Sequence, residues 1–72
     1  MNSHLFEALV LSYEAQRKEA LAALNIYINN SVGVGDHSNH LDELKRWTAK
    51  LTEAEGSISA IKRNFVVDKS DQ

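Results

Sequence analysis

A single cluster of turn-forming residues near the middle of the chain limits what this sequence can fold into. The chain has 72 residues, no Pro and only 3 Gly, and two of the glycines lie within Ser31-Val32-Gly33-Val34-Gly35-Asp36. Asn29 and Asn30 precede this segment, and Asn and Gly tolerate the left-handed backbone conformation that ends helices. The sequence therefore divides into two halves of similar length, joined by one loop at about 31–37.

The first half has the composition and the periodicity of one long helix, from about residue 5 to residue 30. Helix formers dominate it, and its apolar residues recur at steps of three and four. Ser3 is the expected N-cap, and Glu7 would place a carboxylate near the positive end of the helix dipole. The apolar stripe comprises Phe6, Leu9, Val10, Tyr13, Ala20, Leu21, Leu24, Tyr27 and Ile28.

The second half contains a heptad pattern with apolar residues at the a and d positions. It predicts a helix from about 38 to 65, capped by Asp36, Ser38 or Asn39, with residues 66–72 as a frayed tail. Gly56 interrupts the pattern at a cost of about 1 kcal/mol relative to Ala. The seam comprises Leu44, Trp47, Leu51, Ala54, Ile58, Ile61 and Phe65.

Two helices of similar length and one short loop predict an all-α fold, an antiparallel two-helix hairpin in a single domain over residues 1–72. With the loop centred near Val34, residues whose numbers add to about 69 should lie side by side. Gly56 would then lie opposite Tyr13, and Phe65 opposite Leu5. The other expected neighbours are Trp47 with Ala20, Ala23 and Leu24, and Ile61 with Leu9.

A hairpin of this size leaves part of its apolar surface uncovered. A chain of this length buries only about 60% of the surface that its unfolded form exposes. It has no Cys that could add a disulfide or a cysteine zinc site. Self-association into a four-helix bundle would cover the surplus. A heterologous protein partner is the alternative.

The segments that resemble catalytic or ligand sites have simpler explanations. His37 and His40, with Asp36 and Asp42 nearby, offer too few ligands for a closed metal site, so capping of a helix start is favoured. Gly33-Val34-Gly35 follows a helix rather than a strand and lacks the Gly-Lys-Ser/Thr of a phosphate loop. Asp36-His37-Ser38 cannot form a triad, because adjacent side chains point in different directions. We therefore assign no catalytic, cofactor-binding or metal residues, and expect no enzyme and no small-molecule substrate.

Charged residues near the stripes are expected to form ion pairs. Glu14, Glu19, Glu53 and Glu55 should lie on solvated faces beside Lys and Arg. Arg17 falls within the apolar stripe of the first helix. Its head is expected to reach water or Glu55, although a buried polar contact that fixes the register of a dimer is the alternative.

Lys45, Arg46 and Lys50 surround Trp47 and form a candidate site for single-stranded nucleic acid. Basic residues beside an aromatic ring can grip a backbone and stack a base. However, the net charge is -2, the acidic residues neutralise the patch, and Trp47 occupies a seam position. Direct nucleic-acid binding is therefore the weaker hypothesis.

Residues 26–37, from Ile26 through Asn29-Asn30 and the turn to His37, resemble a segment of small helical proteins from T4-like tailed bacteriophages. The similarity extends over residues 13–65, and the related proteins include those encoded beside the UvsW recombination helicase. Ser38 stands where such relatives are expected to have Pro. The resemblance implies a helix-loop-helix fold, a host-cytoplasm location and a link to DNA recombination and repair, and it implies no catalytic residues.

The leading hypothesis is a non-enzymatic accessory protein that docks a protein partner through the first helix. Its expected anchors are Leu21, Leu24, Tyr27 and Ile28. A homo-oligomeric structural or scaffolding role is one alternative, and a weak single-stranded nucleic-acid accessory using Lys45, Arg46, Trp47 and Lys50 is the other. No membrane span and no cofactor are expected, and the location should be cytoplasmic.

Overall fold

The fold is an antiparallel pair of long helices, as the sequence predicts. The structure is a computed structural model that describes residues 3–29 and 37–65, with side chains in the second range from residue 40 onward. Helix α1 spans Ser3–Asn29 and helix α2 spans His37–Phe65, and no strand occurs in these two ranges. The all-α hairpin is confirmed. Most of the predicted loop at about 31–37, and all of the predicted tail at 66–72, lie outside the described residues.

The helix ends differ slightly from the prediction. Helix α1 begins at Ser3, so Ser3 is already helical and the N-cap position falls outside the described residues. The first turn of α1 holds no acidic residue, and Glu7 follows it. Helix α2 ends with Lys62 and Arg63 in its last turn, where positive charge interacts favourably with the helix dipole.

Polar contacts at two levels along the hairpin set its register. Gln16 donates from Nε2 to the Lys50 carbonyl at 2.9 Å and to Glu53 Oε1 at 2.8 Å. Near the ends of the helices that meet at the turn, His40 Nε2 lies 3.1 Å from the Tyr27 carbonyl oxygen. These pairs agree with the predicted rule that facing residue numbers add to about 69.

At the same level as Gln16, Arg17 Nε forms an ion pair with Glu55 Oε2 at 3.4 Å. Gln16 and Arg17 are neighbours on a helix that turns about 100° per residue, and both reach α2. They therefore lie on opposite sides of the line along which the helices touch. We call the two sides of the hairpin the Gln16 flank and the Arg17 flank.

The core between the helices is narrow. The buried apolar residues are Ala20 and Ala54, both completely buried, with Ile58 and Ile61. Two of these four side chains are single methyl groups, so the backbones can approach closely at Ala20 and Ala54. The molecule measures 54 × 18 × 16 Å, a rod one helix pair thick. Each helix can bury only the stripe that faces the other.

One of the predicted neighbour pairs is wrong. Gly56 does not accommodate Tyr13, because it is exposed and a Cβ at this position would meet nothing within 4 Å. Ala54 and Ile58, two residues before and two residues after Gly56, are buried against α1. Gly56 therefore lies on the outer surface of α2. Phe65 and its expected neighbour Leu5 are 57% and 70% exposed. The far end of the hairpin is therefore poorly covered.

Replacing Gly56 by Ala should stabilise the chain by about 1 kcal/mol. The methyl group has free space, and Ala lowers the conformational entropy of the unfolded chain. Urea unfolding followed by circular dichroism measures the effect. Ala49→Gly, at another exposed position of α2, is the matched control and should destabilise the chain by a similar amount. An unchanged or lower stability of Gly56→Ala would contradict the open environment described above.

Replacing Ala20 by Leu should destabilise the hairpin by about 1–3 kcal/mol, because the larger side chain would push the helices apart. Ala22→Leu is the control, since Ala22 is exposed on the same helix. The same urea titration compares the two variants. Equal stability of both would show that Ala20 is not a point of close helix approach.

Candidate protein-interaction face

Large apolar side chains remain exposed on both helices of the described chain. These side chains lie on different sides of the hairpin, and only those on the same side can contact one partner together. These residues are Leu5, Leu9, Leu11, Leu21, Ile26, Ile28, Leu41 and Phe65.

Three of these residues cluster on the Arg17 flank near the turn. Leu21 and Ile28 are seven residues apart, so they share one line along α1, 38% and 63% exposed. Leu41 lies two heptads before Glu55 and so falls on the same flank of α2. The register places Leu41 level with Ile28. Around α1, the half-buried Leu24 lies between the core on one side and the line of Leu21 and Ile28 on the other. The exposed apolar surface is therefore continuous with the interior.

The four predicted anchors do not form one equally exposed set. Leu21 and Ile28 are exposed, whereas Leu24 and Tyr27 are half-buried. Tyr27 packs against His40 of α2, with ring centroids 4.9 Å apart and the planes at 72°. This ring contact occupies Tyr27 within the hairpin. The candidate face is therefore centred on Leu21, Ile28 and Leu41, and Tyr27 belongs to its support.

His40 has a structural environment. Its Nε2 lies 3.1 Å from the Tyr27 carbonyl oxygen, which can only accept, so a hydrogen bond there requires a proton on Nε2. That arrangement leaves only Nδ1 to act as a ligand. Among the side chains that the structure describes, no group of three His, Cys, Asp or Glu residues could hold a metal ion. The side chain of His37, its proposed partner in a metal site, lies outside the described residues.

The middle of the Arg17 flank carries charge. Arg17 and Glu55 form the ion pair, with side chains 35% and 54% exposed. Together with Glu14, Ile58 and Ser59 they line a shallow hollow of about 390 Å³. This geometry matches the expectation that the Arg17 stem lies along apolar surface while its head reaches Glu55.

An apolar groove lies at the opposite end of the same flank from the turn. Phe6, Val10 and Leu11 of α1 and Lys62 of α2 line it, with Glu7 at its edge, and its volume is about 360 Å³. The predicted stripe omits Leu11, because Leu11 falls outside the three-and-four spacing. The Arg17 flank thus carries apolar surface at both ends and an ion pair between them.

The basic patch around Trp47 is not an open stacking platform. Arg46 pairs with Glu43 at 3.1 Å, and its guanidinium lies 5.1 Å from the centroid of the Trp47 ring. Trp47 itself is half-buried, and the Lys50 carbonyl accepts a bond from Gln16. Arg46, the side chain best suited to bind a phosphate, is therefore partly neutralised by Glu43. It also covers the Trp47 ring on which a base would stack.

Comparison with known proteins gives no relative from which a function could be inferred. No protein-family model, no curated protein and no solved structure matches this chain. Within the two described ranges, neither helix combines the length and the apolar character needed to cross a bilayer.

Adding short oligothymidylate at low salt should leave the fluorescence of Trp47 unchanged, because Arg46 and the helix seam restrict access to the ring. Acrylamide quenching of the same sample provides the control that the emission can respond. A saturable quench that weakens steeply with salt, and is lost in Lys45→Ala, would instead support the nucleic-acid hypothesis.

Proposed function

We propose that this chain is a non-enzymatic accessory protein that works by docking a protein on the Arg17 flank. The observation that carries the proposal is the cluster of Leu21, Ile28 and Leu41, which the hairpin leaves exposed on one side. Contiguous apolar surface of this kind is typical of interaction sites, because its burial against a partner releases water.

The arrangement fits helix-face recognition. Leu21 and Ile28 are spaced by two helical turns, the spacing at which an amphipathic helix presents its anchors. Apolar burial would supply most of the binding free energy, as the central residues of interfaces do. The Arg17–Glu55 pair, with Glu14 beside it, would favour one orientation of the partner over others.

A catalytic role has little support in the described part of the chain. Both hollows are shallow and open to solvent, whereas enzyme pockets surround most of a ligand. The charged residues of the central hollow include a carboxylate and a guanidinium that already pair with each other. Such a pair is typical of a structural or orienting contact.

The biological setting that we propose follows from the resemblance of residues 26–37 to small proteins of T4-like phages. In that setting the chain would act in the cytoplasm of the infected bacterium, as an accessory to recombination and repair machinery that includes a helicase. The homo-oligomeric scaffold, the alternative function, would use the same apolar surface without a heterologous partner.

The pair Ile28→Ser and Ile26→Ser tests the proposal. Ile26 and Ile28 are 61% and 63% exposed, yet they lie about 200° apart around α1. Binding of the labelled chain to a purified recombination helicase of a T4-like phage is measured by sedimentation velocity. Ile28→Ser should weaken binding about tenfold or more, and Ile26→Ser should leave it unchanged.

Two results would contradict the proposal. Equal effects of the two substitutions would show that the Arg17 flank is not the docking surface. No binding of the unaltered chain to the helicase would remove the proposed link to that machinery.

A further inference from the structure

We infer that a second copy of this chain covers the Arg17 flank, forming an antiparallel four-helix bundle whose two-fold axis passes beside Arg17. This inference rests on the part of the proposed function that assigns the Arg17 flank as an interaction face, and it makes a second copy of the chain the occupant that a heterologous partner would displace. Four features of the described residues support it: the symmetry of the α1 pattern, the matching pattern on α2, the charges at the centre, and the surface area.

The apolar pattern of α1 is symmetric about Arg17. Moving away from Arg17 in either direction, the next positions occur after steps of four, three and four residues. They are Tyr13, Val10 and Phe6 on one side and Leu21, Leu24 and Ile28 on the other. In an antiparallel two-fold contact centred on Arg17, a residue before Arg17 in one copy meets the residue equally far after Arg17 in the other. A helix that packs on itself in this way therefore needs a pattern that is symmetric about the centre.

The hairpin leaves this symmetric line available for a second contact. None of its seven residues is buried, since Leu21 and Ile28 are exposed and the other five are half-buried. The residue of α1 that α2 does bury completely, Ala20, lies outside the line. Phe6 and Val10 also line the apolar groove at the far end. In the antiparallel arrangement this groove would receive Ile28 and Leu24 of the second copy.

Helix α2 carries a matching line on the same flank. Leu41, Thr48, Glu55 and Lys62 are spaced by seven residues and are symmetric about a point between residues 51 and 52. The hairpin register places that point level with Arg17, so one axis serves both helices. Thr48 donates its hydroxyl to the Leu44 carbonyl at 2.7 Å, which satisfies the hydroxyl within its own helix and removes an obstacle to packing there.

The charges at the centre are self-complementary. Two Arg17 side chains would approach each other across the axis, but each lies in a hollow with Glu14 and Glu55 of its own chain. Glu14 is one turn from Arg17, so the guanidinium of the second copy would come within reach of it. Two guanidinium groups would thus lie among four carboxylates, which offsets their repulsion.

The surface area leaves room for such an interface. The chain exposes 5239 Å², whereas a compact monomer of 8.1 kDa would expose about 4,500 Å². The radius of gyration is 16.3 Å, against about 11 Å for a compact chain of this length. A standard interface buries about 800 Å² per partner, similar to the excess.

Sedimentation equilibrium of the full chain over a concentration series from about 1 to about 500 μM tests the inference. We expect a monomer–dimer equilibrium. Phe6→Ser and Ile28→Ser should each raise the dissociation constant about tenfold or more, while the matched control Ile26→Ser leaves it unchanged. A monomer at every concentration, or equal effects of Ile28→Ser and Ile26→Ser, would overturn the inference.

Disulfide trapping tests the direction of the helices, since the chain has no Cys of its own. Mild oxidation of mixed Phe6→Cys and Ile28→Cys chains should give the heterodimer in preference to either homodimer. Homodimers of each variant without the mixed product would indicate a parallel arrangement and would overturn the inference. Helicase binding that depends on Ile28, by a chain that stays monomeric, would leave the proposed function standing while this inference fails.

Discussion

The close approach of two helices along a single seam is the constraint on which the rest of this structure depends. At Ala20 and Ala54 the side chains are only methyl groups, and both are completely buried. A pair of helices has one seam, so every apolar residue outside it stays at least partly exposed. The narrow core, the exposed Leu and Ile residues and the candidate interaction face all follow from this one geometric limit.

Polar contacts on the two sides of the seam give the two flanks different properties. On the Gln16 flank, one side-chain amide bonds both a carbonyl and a carboxylate of α2. On the Arg17 flank, an ion pair crosses between two apolar regions. Apolar contacts alone would allow the helices to slide by a turn, whereas directional bonds of this kind favour one alignment.

Much of the fold could be predicted from sequence because its signals are local. The turn segment, the three-and-four spacing and the heptad pattern each depend on residues near in the chain, and they give the two helices and their direction. The sequence pattern misplaces Gly56 because a glycine beside a seam position need not face the partner helix. One step of a helix changes the direction of a side chain by about 100°, so small errors of alignment change which side a residue occupies.

The candidate face was predictable only in part. Helical spacing identifies Leu21 and Ile28 as anchors, but it also places Tyr27 on the same face, whereas Tyr27 packs on His40. That contact joins residues on different helices, and its formation depends on details of rotation that periodicity does not define. Leu11, which lines the far groove, gave no periodic signal at all.

The double bond of Gln16 has a consequence for how this sequence can change over time. Its bond to Lys50 uses a main-chain carbonyl, which every amino acid supplies, whereas its bond to Glu53 needs a side-chain acceptor. Position 50 can therefore drift among residue types without loss of that contact. Position 53 is restricted to residues with a side-chain acceptor, so among descendants of this chain the identities at 16 and 53 should change together, while those at 16 and 50 vary independently.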